Sequence, residues 1–464
     1  MKKNKWMLMT MAVILLFTAA CSDNDGPSYS KTALTNDALK TILTQKGFQF
    51  DDQGRLLLDT KADTTTELDL SGTKLDTLEL KGLSVLPHLT SVDLSHNGYG
   101  PRFDFSLLPE QIKSVNLSSN DIYEYPGLVN IQTAENGDET VTVLHHLTKL
   151  ILPHSAQYNC VEIPTYFAQV KGLDMEMQNA AGTLKPYTTL RDVPDEATRA
   201  YLKEVFPSVF TGDQIDISKR LVKLTEANAN IALSKKYIPS TSSTNEIKSV
   251  EGVEYIIMNP GYRGGTIFID AHDQCVLPYI ATNLFMNQFI ISKVSTNLLN
   301  LSASTRLCCF SITSNDSIES ADLSHCTLMG TRDKMTEFDI GDPSQITLIR
   351  CPKLTSLSIP KTAHILGGID LEHLPLLKDL NLSTMSYVQD LALQDIKNCK
   401  LTFYEMKMPS GWTWNPFFSV DEQTYNRPSV KAFLDKYHSQ FQCSPGPADP
   451  DSGGEFYDWA ADYK

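Results

Sequence analysis

Apolar and polar positions follow one another along this chain in a short phrase, L-x-x-L-x-L, that returns at nearly fixed spacing. Leu354, Leu357 and Ile359 make one copy; Leu377, Leu380 and Leu382 make the next, 23 residues later; Leu401, Tyr404 and Met406 make a looser third after 24 more. A second series is interleaved with the first: Leu366, Ile369 and Leu371, then Val388, Leu391 and Leu393, 22 residues on. Nearer the amino terminus, Leu89-x-x-Val92-x-Leu94-x-x-Asn97 is followed 23 residues on by Ile112-x-x-Val115-x-Leu117-x-x-Asn120. An upstream copy reads Glu67-Leu68-Asp69-Leu70, and downstream copies begin at Leu147 and Val170, again 23 apart. The alternation inside each phrase predicts a short strand with one buried face. A fixed period of this size predicts stacked turns whose strands form a parallel sheet over a shared leucine core. The 35-residue step from Ile112 to Leu147 holds about 12 inserted residues, placed around 133–138.

Helical spacing appears in two places that can be laid on one another, residues 36–43 and 195–202. Each opens on an Asn or Asp that can cap a helix, followed by apolar residues at helical intervals. Each leads into a turn bearing Phe and Gly, 48–54 and 206–212. The chain therefore reads as two tandem units, each a small helical head leading into a repeat array. Residues 32–190 form the first head and array, 191–300 a second head with an irregular β-rich segment, 301–410 the second array, and 411–464 a cap and tail. The boundary between the units falls near 185–194. Residues 219–300 offer no clear repeat register; 240–244 read as a loop and 256–270 as strands. Residues 429–442 read as a helix, and the tail is the natural cap that a stacked array needs at its end.

These repeats resemble leucine-rich repeats, so the expected fold is an α/β repeat, a leucine-rich-repeat solenoid with a parallel β-sheet. In that family the asparagine at the positions of Asn97 and Asn120 hydrogen-bonds backbone groups of neighbouring turns, and Cys326, closing Ile318-x-x-Ala321-x-Leu323-x-x-Cys326, occupies the corresponding inward position. The stretch CPKLTSLSIP, 351–360, is similar to the BspA-like or treponemal-type repeats of bacterial surface proteins, in which a strand, an I-P step and a second strand alternate.

The amino terminus changes the picture of where the chain goes. Lys2, Lys3 and Lys5 precede an uncharged apolar run from 6 to 20, shorter than the ~20 residues of a membrane span and in keeping with a signal peptide, residues 1–20. It ends in Thr18-Ala19-Ala20-Cys21, which resembles a bacterial lipobox with Thr18 where the family usually carries Leu, Val or Ile. The resemblance implies acylation at Cys21; a plain secretory signal with an incidental cysteine is the competing reading. The polar, acidic stretch 21–31 reads as a flexible tether and resembles the export signal of surface lipoproteins of the Bacteroidetes. The implied location is the outer membrane, lipid-anchored and facing outward, with the membrane touched only through that lipid.

Charge narrows the partners. With 55 acidic and 40 basic residues, three of the latter in the signal peptide, the exported chain carries about −18, which repels phosphate backbones and argues against nucleic acid. Eight cysteines remain beyond Cys21 with no C-x-x-C pair and no zinc-finger spacing.

Chemistry is sparse. No H-E-x-x-H, G-x-S-x-G or P-loop sequence occurs. Adjacent His145 and His146 would point to opposite faces of a strand, which leaves one packed and one solvated. Asp270, His272 and Asp273 are the most site-like cluster, read as a strand running into a polar turn. Residues 50–59 hint at a calcium loop, but Arg55 stands where a ligand is needed. No cofactor or metal is expected. The residues flanking the buried positions of the first array offer a more plausible binding face: Glu67, Asp69 and Ser71; Ser91, Asp93 and Ser95; Ser114, Asn116 and Ser118; Lys149 and Ile151; Gly172, Asp174 and Glu176. Asp69, Asp93, Asn116, Asp174 and Glu176 are its candidate contact residues; the competing reading is that small polar residues keep an exposed sheet soluble. Trp412 and Trp414 read as packing in the cap. The sequence thus points to a non-catalytic surface lipoprotein that binds a protein or glycan, in adhesion or surface interaction. An envelope-assembly role with a partner from the same cell is the alternative, and a polysaccharide-acting accessory enzyme using Asp270 or Asp273 comes third.

Overall fold

The computed structural model describes residues 27–35, 37–133, 139–239, 242–244, 246–331, 344–410, 414–447 and 454–464. Cys21, Asn36 and Trp412, and the loop residues 134–138 and 240–241, lie outside them. The chain is an α/β protein dominated by parallel strands, arranged in two main sheets over two apolar cores. Among the described residues no helix is long and apolar enough to cross a membrane.

The first sheet has six strands: Glu67–Asp69, Ser91–Asp93, Ser114–Asn116, Lys149–Leu152 and Asp174–Gln178 in parallel, closed by antiparallel Leu184–Pro186. Register aligns Leu68, Val92, Val115, Leu150 and Met175 in one inward row, all buried. The insertion after Ile112 is a hairpin, Val129–Thr133 against Glu139–Val143. His145, with its ring packed and its Nε2 3.2 Å from the Ile112 carbonyl, follows this hairpin outside any strand, and His146 beside it is exposed. The expectation that both lie on a strand is corrected here, although one packs and one is solvated.

The second sheet has eight strands, every neighbour parallel: Ile231–Ser234, Thr266–Val276, Gln288–Ser295, Cys309–Thr313, Gln345–Ile349, Ile365–Glu372, Tyr387–Gln394 and Phe417–Val420. Two inward rows run its full width. One is Ile231, Ile267, Phe289, Phe310, Ile346, Ile369, Leu391 and Phe418; the other is Leu233, Ile269, Ile291, Ile312, Leu348, Leu371, Leu393 and Val420. All sixteen are buried, so each strand buries two side chains on the same core, and the rings of Phe289 and Phe310 stack at 6.0 Å. The first three strands of this sheet come from the segment without a legible repeat register, so the sheet runs unbroken across residue 300. Within 256–270 the expected strand begins at Thr266, after the chain completes a short helix, Val253–Ile257. The interleaved phrases at Leu366 and Val388 lie in the large sheet, while the series at Leu354, Leu377 and Leu401 falls in smaller parallel pairs beside it: Ser320–Asp322 with Ser356–Ser358 and Asp379–Asn381 with Lys400–Thr402, joined by Tyr279–Ala281 with Leu298–Asn300.

Backbone conformation repeats along with register. Ser314, Arg350, His373 and Asp395, each directly following one of four successive strands of the second sheet, and Lys293, at the register-equivalent place inside Gln288–Ser295, all adopt φ between 48° and 58°. A left-handed residue directly after four consecutive strands means that these four leave the sheet by the same path. Helix Asp37–Gln45 heads the first half, and helix Glu196–Val205, capped by the Asp195 carboxylate on the Thr198 N–H, heads the second. At the carboxyl end, helix Pro428–Tyr437 packs Phe433 against Phe403 and Phe418, and buried Trp459 donates its indole N–H to the Phe418 carbonyl at 2.8 Å. Trp414 departs from its expected packing role, being 61% exposed.

Candidate functional site

The sequence-predicted face is built by register. Asp69, Asp93, Asn116, Ile151 and Glu176 form one outward row of the first sheet, and Glu67, Ser91, Ser114, Lys149 and Asp174 form the next. Ser95 and Ser118 do not join it: both are buried in the turns that follow their strands, and Gly172 precedes its strand in a turn with φ 80°.

Side-chain geometry gives several of these residues a second task. Asp69 accepts the Ser71 N–H at 2.8 Å, Asp93 the Ser95 N–H at 2.9 Å and Asn116 the Ser118 N–H at 3.0 Å. The same bond closes three turns of the second half, Asn300 to Ser302, Asp322 to Ser324 and Asn381 to Ser383. Each side chain mimics a backbone turn and fixes the exit from its strand. This role was legible in a recurring [D/N]-L-S triplet that a search for leucine spacing passes over. The second oxygen of Asp93 accepts from the Asn116 amide at 3.0 Å, while the hydrogen bonds from Ser71 hold the Asp69 carboxyl below the ordinary aspartate range. Lys149 lies 3.1 Å from Asp174 and 3.8 Å from Glu176, and its hydrogen bond to Asp174 raises the lysine pKa. The row therefore has an acidic rim whose charge is partly neutralised at one end.

Beneath it, Asn97 donates to the carbonyls of Leu70 and Leu94 and accepts the Lys74 N–H at 2.7 Å. Asn120 donates to the carbonyls of Leu94 and Leu117 and accepts the N–H groups of Asn97 and Tyr99. These two amides tie each turn to the one before it. Cys326 is fully buried, and burial pushes its thiol up to about 12, so it stays protonated and unreactive. All eight described cysteines are free.

Asp270, His272 and Asp273 are exposed; they lie within one long strand, at the bulge between Asp270 and Cys275, and not in a turn that follows it. His272 Nδ1 sits 3.1 Å from the Asp273 carboxylate, and none of the three lines a cavity among those described. Asp51 accepts from the N–H groups of Gln53 and Arg55 and from the Arg55 side chain, which makes the 50–59 stretch a self-contained turn. No group of three or more His, Cys, Asp or Glu among the described residues is placed to hold a metal ion.

Two features escape sequence reasoning. The two cores meet at Glu124, whose carboxylate accepts from the Tyr279 hydroxyl at 3.0 Å and the Asn300 amide at 2.8 Å, while Tyr123 stacks on Tyr279 at 4.9 Å. A cleft of about 510 Å³ opens there, but the side chains of Asn159, Asn259 and Asn300 along it are occupied by internal hydrogen bonds. The other is the outward face of the second sheet, where Thr266, Gln288, Cys309, Gln345, Gly368, Asp390 and Phe417 stand in one row. Its strands carry no L-x-x-L-x-L phrase over the first half of the sheet, which is why it was not anticipated.

No protein-family model, curated protein sequence or solved structure matches this chain.

Proposed function

We propose that the chain is a leucine-rich-repeat-like solenoid in two tandem units, held at the outer membrane by lipid on Cys21, that binds a protein or glycan without catalysing a reaction. One observation carries the reading: both sheets bury one face completely, and the other face of the first sheet presents ordered, mostly polar rows of side chains, while that of the second carries a mixed row from Thr266 to Phe417. A rigid, regularly spaced surface of that kind suits recognition of an extended partner. The repeated left-handed strand ends, the asparagine ties and the recurrent [D/N]-L-S turns support the repeat reading.

The test is capture by the immobilised chain from Ser22 to Lys464, in parallel from a lysate of its own cell and from extracellular matrix proteins and glycans. The control carries Asp69→Asn, Asp93→Asn, Asp174→Asn and Glu176→Gln. Asparagine keeps the oxygen that closes the turns while removing charge, so folding and binding effects separate. Capture of an extracellular component that the control loses at least about tenfold is the expected result. Capture of the cell's own envelope proteins alone would replace adhesion with assembly.

A further inference from the structure

The outward row of the second sheet contains an anomaly. Gly367 and Gly368 sit inside the strand Ile365–Glu372, where glycine weakens a sheet. Neither has the positive φ that would demand glycine. A Cβ added at Gly368 would meet nothing closer than the Asp390 carbonyl and the Gln345 side chain at 3.7 Å, an ordinary contact. The protein's own packing therefore does not require the missing side chain. Its absence instead opens a hollow of about 320 Å³ on an otherwise side-chain-covered face.

The walls define the chemistry. Register puts Gln345 and Asp390 on either side of Gly368, with Phe417 beyond Asp390 and Asp370 two residues along Gly368's own strand. The lining holds two carboxylates and the amides of Gln345 and Gln389, and no lysine, arginine or histidine. No ion pair to Asp390 forms among the described residues. Asp390 is open to solvent, yet the surrounding atoms desolvate it enough to raise its pKa above the ordinary aspartate value. Phe417 is partly exposed at the rim and offers a ring face to a cation. Farther along the strands the face is closed: Glu372 and Gln394 are buried, and the tail passes so near that a Cβ at Gly454 would collide with Gln394. Among the described residues the Gly368 end of this face remains accessible.

We propose that this hollow is a binding site for an alkylammonium group, with Asp370 and Asp390 supplying charge, Gln345 and Gln389 supplying acceptor oxygens and Phe417 covering the cation. The acceptors come from three neighbouring strands, Gln345 from one, Asp370 from the next and the adjacent Gln389 and Asp390 from the third, so they line the hollow from several sides. That arrangement suits the three divergent donors of an ammonium better than the planar fork of a guanidinium. The group comes from a lysine side chain on a polypeptide or from a free diamine. The site does not depend on the membrane anchor or on the acidic row of the first sheet.

Saturation-transfer NMR on the chain from Ser22 to Lys464 tests this, with Nα-acetyl-lysine methylamide, 1,5-diaminopentane, and the arginine and norleucine counterparts of the lysine compound as probes. Saturable transfer to the ammonium probes is expected, weakened at least about tenfold in Asp390→Asn, abolished in Gly368→Val and strengthened in Gln345→Glu. A stronger lysine compound assigns the group to a polypeptide, a stronger diamine to a free amine, and either upholds the site. Equal binding of norleucine, tighter binding of arginine, or an unchanged affinity in both Asp390→Asn and Gln345→Glu overturns it. Gln345→Glu keeps the test decisive if Gly368→Val does not fold, since it sits on an exposed position and adds affinity only at a real site.

Discussion

Asn97 makes four hydrogen bonds that no aliphatic residue can replace, two as donor to carbonyls of successive turns and two as acceptor from Lys74 and Thr73. Asn97→Ala strands buried backbone groups, so denaturant unfolding should show a loss of about 2–4 kcal/mol, whereas a surface change such as Lys61→Ala should stay within about 0.5. Glu254 gives the fold a pH dependence. It is fully buried with one carboxylate oxygen accepting the Gly252 N–H at 2.9 Å, and burial pushes its pKa from 4.5 to about 8. The folded state thus keeps the proton after the unfolded chain has lost it. Stability is full below pH 4.5 and falls as pH rises toward about 8, by an amount on the order of several kcal/mol. Glu254→Gln should flatten that decline and raise the melting temperature at pH 8; an unchanged pH profile would mean that Glu254 is not the group responsible.

Strands and their exits are where the sequence was most and least readable. The interleaved phrases at Leu366 and Val388 marked Ile365–Glu372 and Tyr387–Gln394 because two leucines or isoleucines per strand must face the core. Gln288–Ser295 and Cys309–Thr313 do the same work with Phe289, Ile291, Phe310 and Ile312, which share the period of two but not the leucines, so no leucine phrase marked them. The [D/N]-L-S turns were visible as residues and not as turns, and the acidic row was therefore read for charge alone. Asp322→Ala should cost about 1 kcal/mol by thermal unfolding and Asp322→Asn much less, since asparagine keeps the acceptor. Ser314 holds φ 55°, a conformation that glycine adopts freely, so Ser314→Gly should be neutral or stabilise by up to about 1 kcal/mol, against the destabilisation glycine brings to an ordinary strand. The glycine pair at 367–368 was equally visible, and only the absence of a backbone or packing demand at Gly368 exposed the hollow.

At the scale of the whole molecule, two parallel sheets with separate cores are joined through Glu124, Tyr123, Tyr279 and Asn300, residues more than 150 positions apart in sequence that no local pattern could bring together. A double-mutant cycle of Glu124→Ala with Asn300→Ala should show a coupling of about 1 kcal/mol, and loss of that contact should separate the unfolding of the two cores. The central claim is that recognition happens on the uncovered sheet faces, and carboxyl footprinting by mass spectrometry of the chain with its captured partner tests it most directly. Labelling should fall at Glu67, Asp174 and Glu176 on the first sheet or at Asp390 on the second, and stay unchanged at exposed Glu204 and Asp213 on the second helical head. Protection at Glu204 and Asp213 with the sheet carboxylates still fully labelled would contradict it.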